Sequence, residues 1–198
     1  GAIGEIWVRA SSVARGYWQR PDESAETFHA RLAETGHPAS QQRGSWLRTG
    51  DLGWLDEDGE LYVVGRIKDV MIVRGINHYP QDIEATVAAS HPSLRRDHGA
   101  AFTIVDDNGV ERIVIVQEVE RTQRHAISEA EVVEAIQAAV VRNHDVALYK
   151  IVLIRTGTLP KTTSGKVQRS LSRRRWLEGT LEPWSQGGGA DAEAGPSA

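Results

Sequence analysis

The sequence predicts a mixed architecture in two parts, a β-rich segment over residues 1 to about 66 and a small α+β or open α/β domain from about 69 to 184. Three observations predict it. Up to Arg66, short runs alternating polar and apolar residues are separated by turns, as half-buried strands are. From Asp69 onward, apolar runs of strand length alternate with stretches of helical period. Asp58-Gly59 and Asn108-Gly109 each stand between apolar runs, where such pairs mark hairpins.

In chain order, Glu5 to Arg9 reads as the first strand. Pro21-Asp22-Glu23-Ser24 opens a short helix through about Leu32, with proline and acids where a helix N-terminus favours them. Thr35 to Ser45 is polar and is expected to be a surface loop. Leu52 to Leu55 and Leu61 to Val64 flank Asp56-Glu57-Asp58-Gly59 as a hairpin. Val70 to Val73 is expected to be a buried strand, and Pro80 to Ser90 a helix with Ile83 and Val87 at i, i+4. Ala100 to Val105 and Arg112 to Val119 form the second hairpin. Ser128-Glu129-Ala130-Glu131 has capping-box spacing, followed by Val132, Val133, Ile136, Ala139 and Val140 on one helical face. Lys150 to Ile154 is a further strand, and Val167 to Leu177 a basic final helix ending near Gly179. Ser185 to Ala198, with Gly187-Gly188-Gly189 and no large apolar side chain, is expected to be a disordered tail or linker.

Composition narrows the function classes. A net charge of −4 gives no global attraction to nucleic acid or anionic membranes, and no apolar run approaches the length of a membrane span. Cysteine is absent, which excludes disulfides and thiolate metal sites and fits a reducing cytoplasm, the expected compartment. No pair of the seven histidines has metal-ligand spacing on one helical face, so no metal site is expected. The opening Gly1-Ala2-Ile3-Gly4-Glu5 has neither a methionine nor the features of a signal peptide, and the chain is expected to be a piece of something longer.

Three segments carry chemistry. Trp46-Leu47-Arg48-Thr49-Gly50-Asp51 places a carboxylate at a strand end, where it can accept paired hydrogen bonds from a sugar diol or simply cap a turn. Gly65-Arg66-Ile67-Lys68-Asp69 crowds charge between two apolar strands, a polar joint or an ordinary linker, and Gly75 nearby permits an unusual backbone path. Leu159 to Arg169 holds Lys166 after Thr162-Thr163-Ser164-Gly165, expected to be a flexible loop at the start of a helix. Such a lysine can swing toward a phosphate as a compact charge or stay solvated. Val167 follows Lys166 where a P-loop needs Ser or Thr, so that motif is excluded.

Taken in order, these segments resemble the adenylate-forming superfamily of acyl-CoA synthetases, adenylation domains and luciferases, over about residues 1 to 184. Arg74-Gly75-Ile76-Asn77-His78-Tyr79-Pro80-Gln81-Asp82-Ile83-Glu84 looks most like the fatty acyl-AMP ligases. The resemblance implies that residues 1–67 end a large N-terminal adenylation domain, that 68–184 form its small mobile lid, and that 185–198 trail behind. It implies ATP, with magnesium held outside this chain, a fatty acid substrate, and the phosphopantetheine thiol of an acyl carrier protein as acceptor. Asp51 and Arg66 would bind the ribose, Lys68 would be the hinge, Gly75 would line the pantetheine channel, and Lys166 would reach the α-phosphate and the carboxylate oxygen. The chain alone is expected to be inactive without the missing N-terminal domain.

Two alternatives accompany this reading: coenzyme A as acceptor, and a non-catalytic carrier-docking module. The basic run Arg169, Arg173, Arg174 and Arg175 is expected to be a solvated face or, with Arg95 and Arg96, a surface for an acidic carrier protein.

Overall fold

A computed structural model describes residues 2–33, 44–123 and 128–184. Most of the expected loop over 35–45 and all of the expected tail over 185–198 lie outside the described residues. The chain divides into two compact units after Lys68.

The first unit is a three-stranded antiparallel sheet, β1 (Gly4–Val8), β2 (Leu47–Leu55) and β3 (Leu61–Arg66), with β2 central. Helix α1 (Pro21–Phe28) ends short of the expected Leu32, because Ala30 leaves the helix to pair with Trp46. The β2–β3 turn closes as expected, with Asp56 N–H donating to Glu60 O at 3.1 Å and Asp56 Oδ1 accepting the amides of Asp58 and Glu60. Trp54 and Tyr62 face each other across this hairpin and stack at 4.7 Å, a cross-strand pair that helps set the register.

The second unit is built on a sheet of β6 (Leu94–Val105), β7 (Glu111–Val119) and β8 (Leu148–Ile154). β6 and β7 form the expected hairpin, whereas β8 runs parallel to β7. A parallel neighbour needs a long crossover, and helix α3 (Glu129–His144) lies within it. β7 is buried on both faces, which is why Ile113-Val114-Ile115-Val116 reads as a continuous apolar run.

Its alternate residues feed two cores. Ile113, Ile115 and Val119 join Ile83 and Val87 of helix α2 (Pro80–Ser90) and Val132, Ile136 and Val140 of α3. Val114 and Val116 join Phe102, Ile154 and Leu159, against which Val167 and Trp176 pack. Burial of each such aliphatic side chain is worth about 1.5–3 kcal/mol. Trp184, also buried, donates its backbone N–H to Leu153 O, so the packing of the second unit extends to the last described residue.

Three further local expectations fail. Ser128 makes no side-chain cap bond at the start of α3, so the capping-box spacing is not realised. The run from Val70 is not a buried strand: β4 (Met71–Val73) pairs only with β5 (Ile76–His78), and Ile72 is 53% exposed while Met71 alone is buried. The final helix, α4 (Arg169–Leu177), begins later than Val167, because Val167 bridges Lys161.

Candidate functional site

Asp51 and Arg66 are brought together by strand register. They are direct partners across β2 and β3, and Arg66 Nε donates to Asp51 Oδ1 at 2.9 Å. Asp51 is not at a strand end, as its sequence context implied; β2 continues to Leu55. What sets Asp51 apart is a bulge. Between Glu5 and Trp7 of β1 the chain advances two residues, while the opposing stretch of β2 advances from Leu52 back to Arg48. Gly50 takes φ +72 there, and Thr49 stitches the irregularity by donating to Ile6 O at 2.8 Å and accepting Asp51 N–H at 3.0 Å. The Asp51 and Arg66 side chains are 38% and 66% exposed, so both are open to a ligand. One carboxylate oxygen is taken by Arg66, leaving the second with acceptor capacity for a hydroxyl.

Lys68 is exposed in a 3-10 turn, Ile67–Asp69, at the boundary between the units. Gly75 shares the β4–β5 turn with Arg74, at φ +78 and +53, the positive pair a tight two-residue hairpin demands. A Cβ at Gly75 would meet nothing within 4 Å, so the glycine answers to backbone conformation and not to a close neighbour inside its own unit.

Lys166 is exposed, and among the described residues its ammonium makes no ion pair. The loop that carries it forms a hydrogen-bonded turn. Thr162 N–H donates to Lys166 O at 2.8 Å, Gly165 N–H to Thr162 O at 2.9 Å, and Lys166 N–H to Thr162 Oγ1 at 3.0 Å. The Lys161–Val167 bridge and Gln168 N–H to Pro160 O close its base. Gly165 supplies φ +83. A cleft of about 580 Å³ opens beside it, lined by Ala85 and Ala88 of α2, Arg96 and Gly99 of β6, and Gly165 and Val167. Among the described residues, the structure pairs Asp51 with Arg66 and stands Gly75 and Lys166 on separate elements of the second unit.

Sequence reasoning missed one buried and one half-buried ionic group. Glu118 is wholly buried on β7; its Oε1 accepts Leu159 N–H at 2.8 Å and its Oε2 accepts Arg95 Nη1 at 2.6 Å. Burial pushes this carboxyl up, but the amides of Gly157 and Leu159 and the Arg95 guanidinium outweigh it and hold it below the ordinary glutamate value. Arg169 donates to both oxygens of Glu84 at 2.7 Å and to Asp69 at 2.9 Å. The available signals were an acid inside the apolar run of β7 and an acid beside Ile83 on the core-facing helix. These contacts take Arg95 and Arg169 out of the expected basic surface, whereas Arg96, Arg173 and Arg174 are exposed.

His78 is buried at the end of β5. Burial, with His144 adding to it, holds its imidazole below the ordinary histidine value. The unfolded chain therefore takes the proton first, so this stabilisation is complete above about pH 6.5 and is lost as pH falls through the folded value. Urea titrations should show lower stability at about pH 5.5 than at about pH 7.5, and His78→Gln should shrink the difference. An unchanged difference would remove His78 as its source. Among the described residues no group of three His, Asp or Glu side chains is arranged to hold a metal ion.

Solved structures of adenylate-forming enzymes share this fold. ATP-bound MatB from Rhodopseudomonas palustris superposes with a TM-score of 0.68 at 25% identity, covering 91% of this chain and 31% of that one. Residues 68–186 match the AMP domain of the Disco-interacting protein 2-like family, and the chain belongs to that family. Among curated relatives, the medium-chain-fatty-acid–[acyl-carrier-protein] ligase JamA of Moorena producens is 55% identical over 182 residues, 92% of this chain. The putative fatty-acid–CoA ligase FadD21 of Mycobacterium tuberculosis is 44% identical over 175 residues, 86% of this chain. The chain spans 29% of the length of each of these relatives. No helix of the described residues is long and apolar enough to cross a membrane.

Proposed function

We propose that this chain is the C-terminal part of a fatty acyl-AMP ligase, which activates a fatty acid with ATP and passes the acyl group to the phosphopantetheine thiol of an acyl carrier protein. The observation that carries the reading is Lys166, a cation presented on a hydrogen-bonded turn and without an ion pair among the described residues. The likeness to a ligase named for an acyl carrier protein supports the substrate and acceptor.

In this reading, residues 1–67 end the large adenylation domain and 68–184 form a mobile lid hinged at Lys68. Asp51 accepts from the ribose hydroxyls through the oxygen that Arg66 leaves available, and Arg66 assists at the same sugar. The fatty acid carboxylate oxygen attacks the α-phosphorus, the bond to pyrophosphate breaks, and pyrophosphate departs. Lys166 lies against the non-bridging phosphoryl oxygens, where negative charge gathers, and offsets the repulsion between them and the incoming carboxylate. Rotation about Lys68 then withdraws Lys166 and brings the Gly75 hairpin to the pantetheine arm for thioester formation. Magnesium, where bound, neutralises phosphate charge, and the residues that hold it belong to the part of the ligase beyond this chain.

The whole ligase should catalyse fatty-acid-dependent ATP–pyrophosphate exchange, and this chain alone should catalyse none. With acyl-adenylate formed, holo-carrier protein should be acylated and coenzyme A should not. Exchange without a fatty acid requirement, or none at all from the whole protein, sinks the reading. The likeness to a ligase named for CoA favours the second acceptor, and acylation of coenzyme A in preference to carrier would select it.

A further inference from the structure

Arg169 stands three residues after Lys166, at the first position of α4. Its side chain is 22% exposed, and each of its three nitrogens donates inward. Nε and Nη2 grip the two oxygens of Glu84 at 2.7 Å, and Nη1 holds Asp69 Oδ2 at 2.9 Å. Glu84 Oε1 also accepts the amide of Ala101 on β6 at 2.9 Å. One guanidinium thus joins the residue following Lys68, helix α2, strand β6, and the segment carrying Lys166. A two-pronged contact of this kind fixes orientation as well as distance, which a point charge does not.

Between Arg169 and Lys166 stand only Val167 and Gln168, and both are fixed. Val167 bridges Lys161 and packs on the Phe102–Leu159 core, while Gln168 N–H donates to Pro160 O at 2.9 Å. A shift at Arg169 therefore has no slack residue to absorb it before it reaches Lys166.

We propose that Arg169 is a positioning residue for Lys166, with the Glu84 fork and the Asp69 contact setting where the Lys166 turn is presented. The proposal rests on the reading of Lys166 as the adenylating cation, and the test separates the two. Arg169→Lys keeps the charge and loses the fork; Glu84→Gln keeps the side-chain shape and loses the charge. In this chain, both should speed hydrogen exchange at the Gly165 and Lys166 amides, which donate to Thr162 within the turn. In the whole ligase, both should slow acyl-adenylate formation by about 10²-fold, the scale of a displacement near 1 Å at a reacting group. Transfer from supplied acyl-adenylate to the acceptor should be unaffected, since Lys166 takes no part in that step.

Lys166→Ala is run alongside. If Lys166→Ala itself spares adenylation, the reading of Lys166 falls and the positioning role falls with it. If Lys166→Ala cripples adenylation while Arg169→Lys and Glu84→Gln do not, the positioning role alone is overturned. Equal loss of both half-reactions, or loss of folding in both variants, makes Arg169 a structural residue and overturns the proposal as well.

Discussion

Replacing Lys166 with alanine in the whole ligase will lower the rate of acyl-adenylate formation by about 10²- to 10³-fold, the scale measured for loss of one preorganised charge-stabilising donor. The expectation follows from when the charge is needed. The entering carboxylate and the α-phosphate are both anionic, and their repulsion is greatest as the new bond forms. A cation whose backbone is held in a turn has only its side chain to order at the moment of reaction. Among the described residues the Lys166 ammonium has no internal ion pair to give up. The variant should fold normally, because its exposed side chain contributes nothing to either core. Binding of ATP should change little, since the sugar contacts proposed for Asp51 and Arg66 remain. Transfer of a supplied acyl-adenylate to the acceptor should proceed at the parent rate. Rapid-quench measurement of adenylate formation checks the first statement, and single-turnover transfer checks the last. Loss of less than about tenfold in adenylation would mean that the cation is not at the reacting phosphate.

Glu118→Ala will destabilise this chain by about 3 kcal/mol, the lower end of the cost of removing one partner from a buried ion pair. The lower end applies because Arg95 is 30% exposed and can turn its guanidinium to water, while Glu118 is fully buried. The buried amide of Leu159 has no such escape and loses its acceptor. Urea denaturation read as the change in midpoint at constant slope measures it. The wild-type carboxyl also gives the acid limb a sign. Its folded pKa lies below the ordinary value, so its stabilisation is complete above about pH 4.3 and is lost as pH falls through the folded value. Glu118→Ala should therefore flatten the acid limb of the stability curve. Because Leu159 leads into the Lys166 turn, the same substitution should also slow adenylation in the whole ligase. A change under about 1 kcal/mol would show that the buried carboxylate is dispensable.

Local signals decide the structure where one short stretch suffices. Pro80–Ser90 is the predicted helix to the residue, because proline opens it and Ile83 and Val87 share one face. Both hairpins close where Asp-Gly and Asn-Gly stand, because φ +82 at Gly59 and φ +76 at Gly109 are conformations that few other residues adopt. The family, too, was legible, because its motifs are contiguous. Ser128 shows the limit of such signals: the spacing for a capping box is present, yet the bond is not made.

The sequence by itself determined the periods, the turns and the identity of the chemical groups. Only the tertiary structure decided which groups meet. The register of β2 and β3 sets Asp51 against Arg66, and a bulge opposite β1 interrupts the ladder beside it. Packing brings Arg169 to Glu84 across 85 positions and Glu118 to Leu159 across 41. The physical reason is that turn and helix preferences are fixed within a few residues, whereas a carboxylate carries no mark of its partner until burial in a common core leaves it one cation or amide within reach.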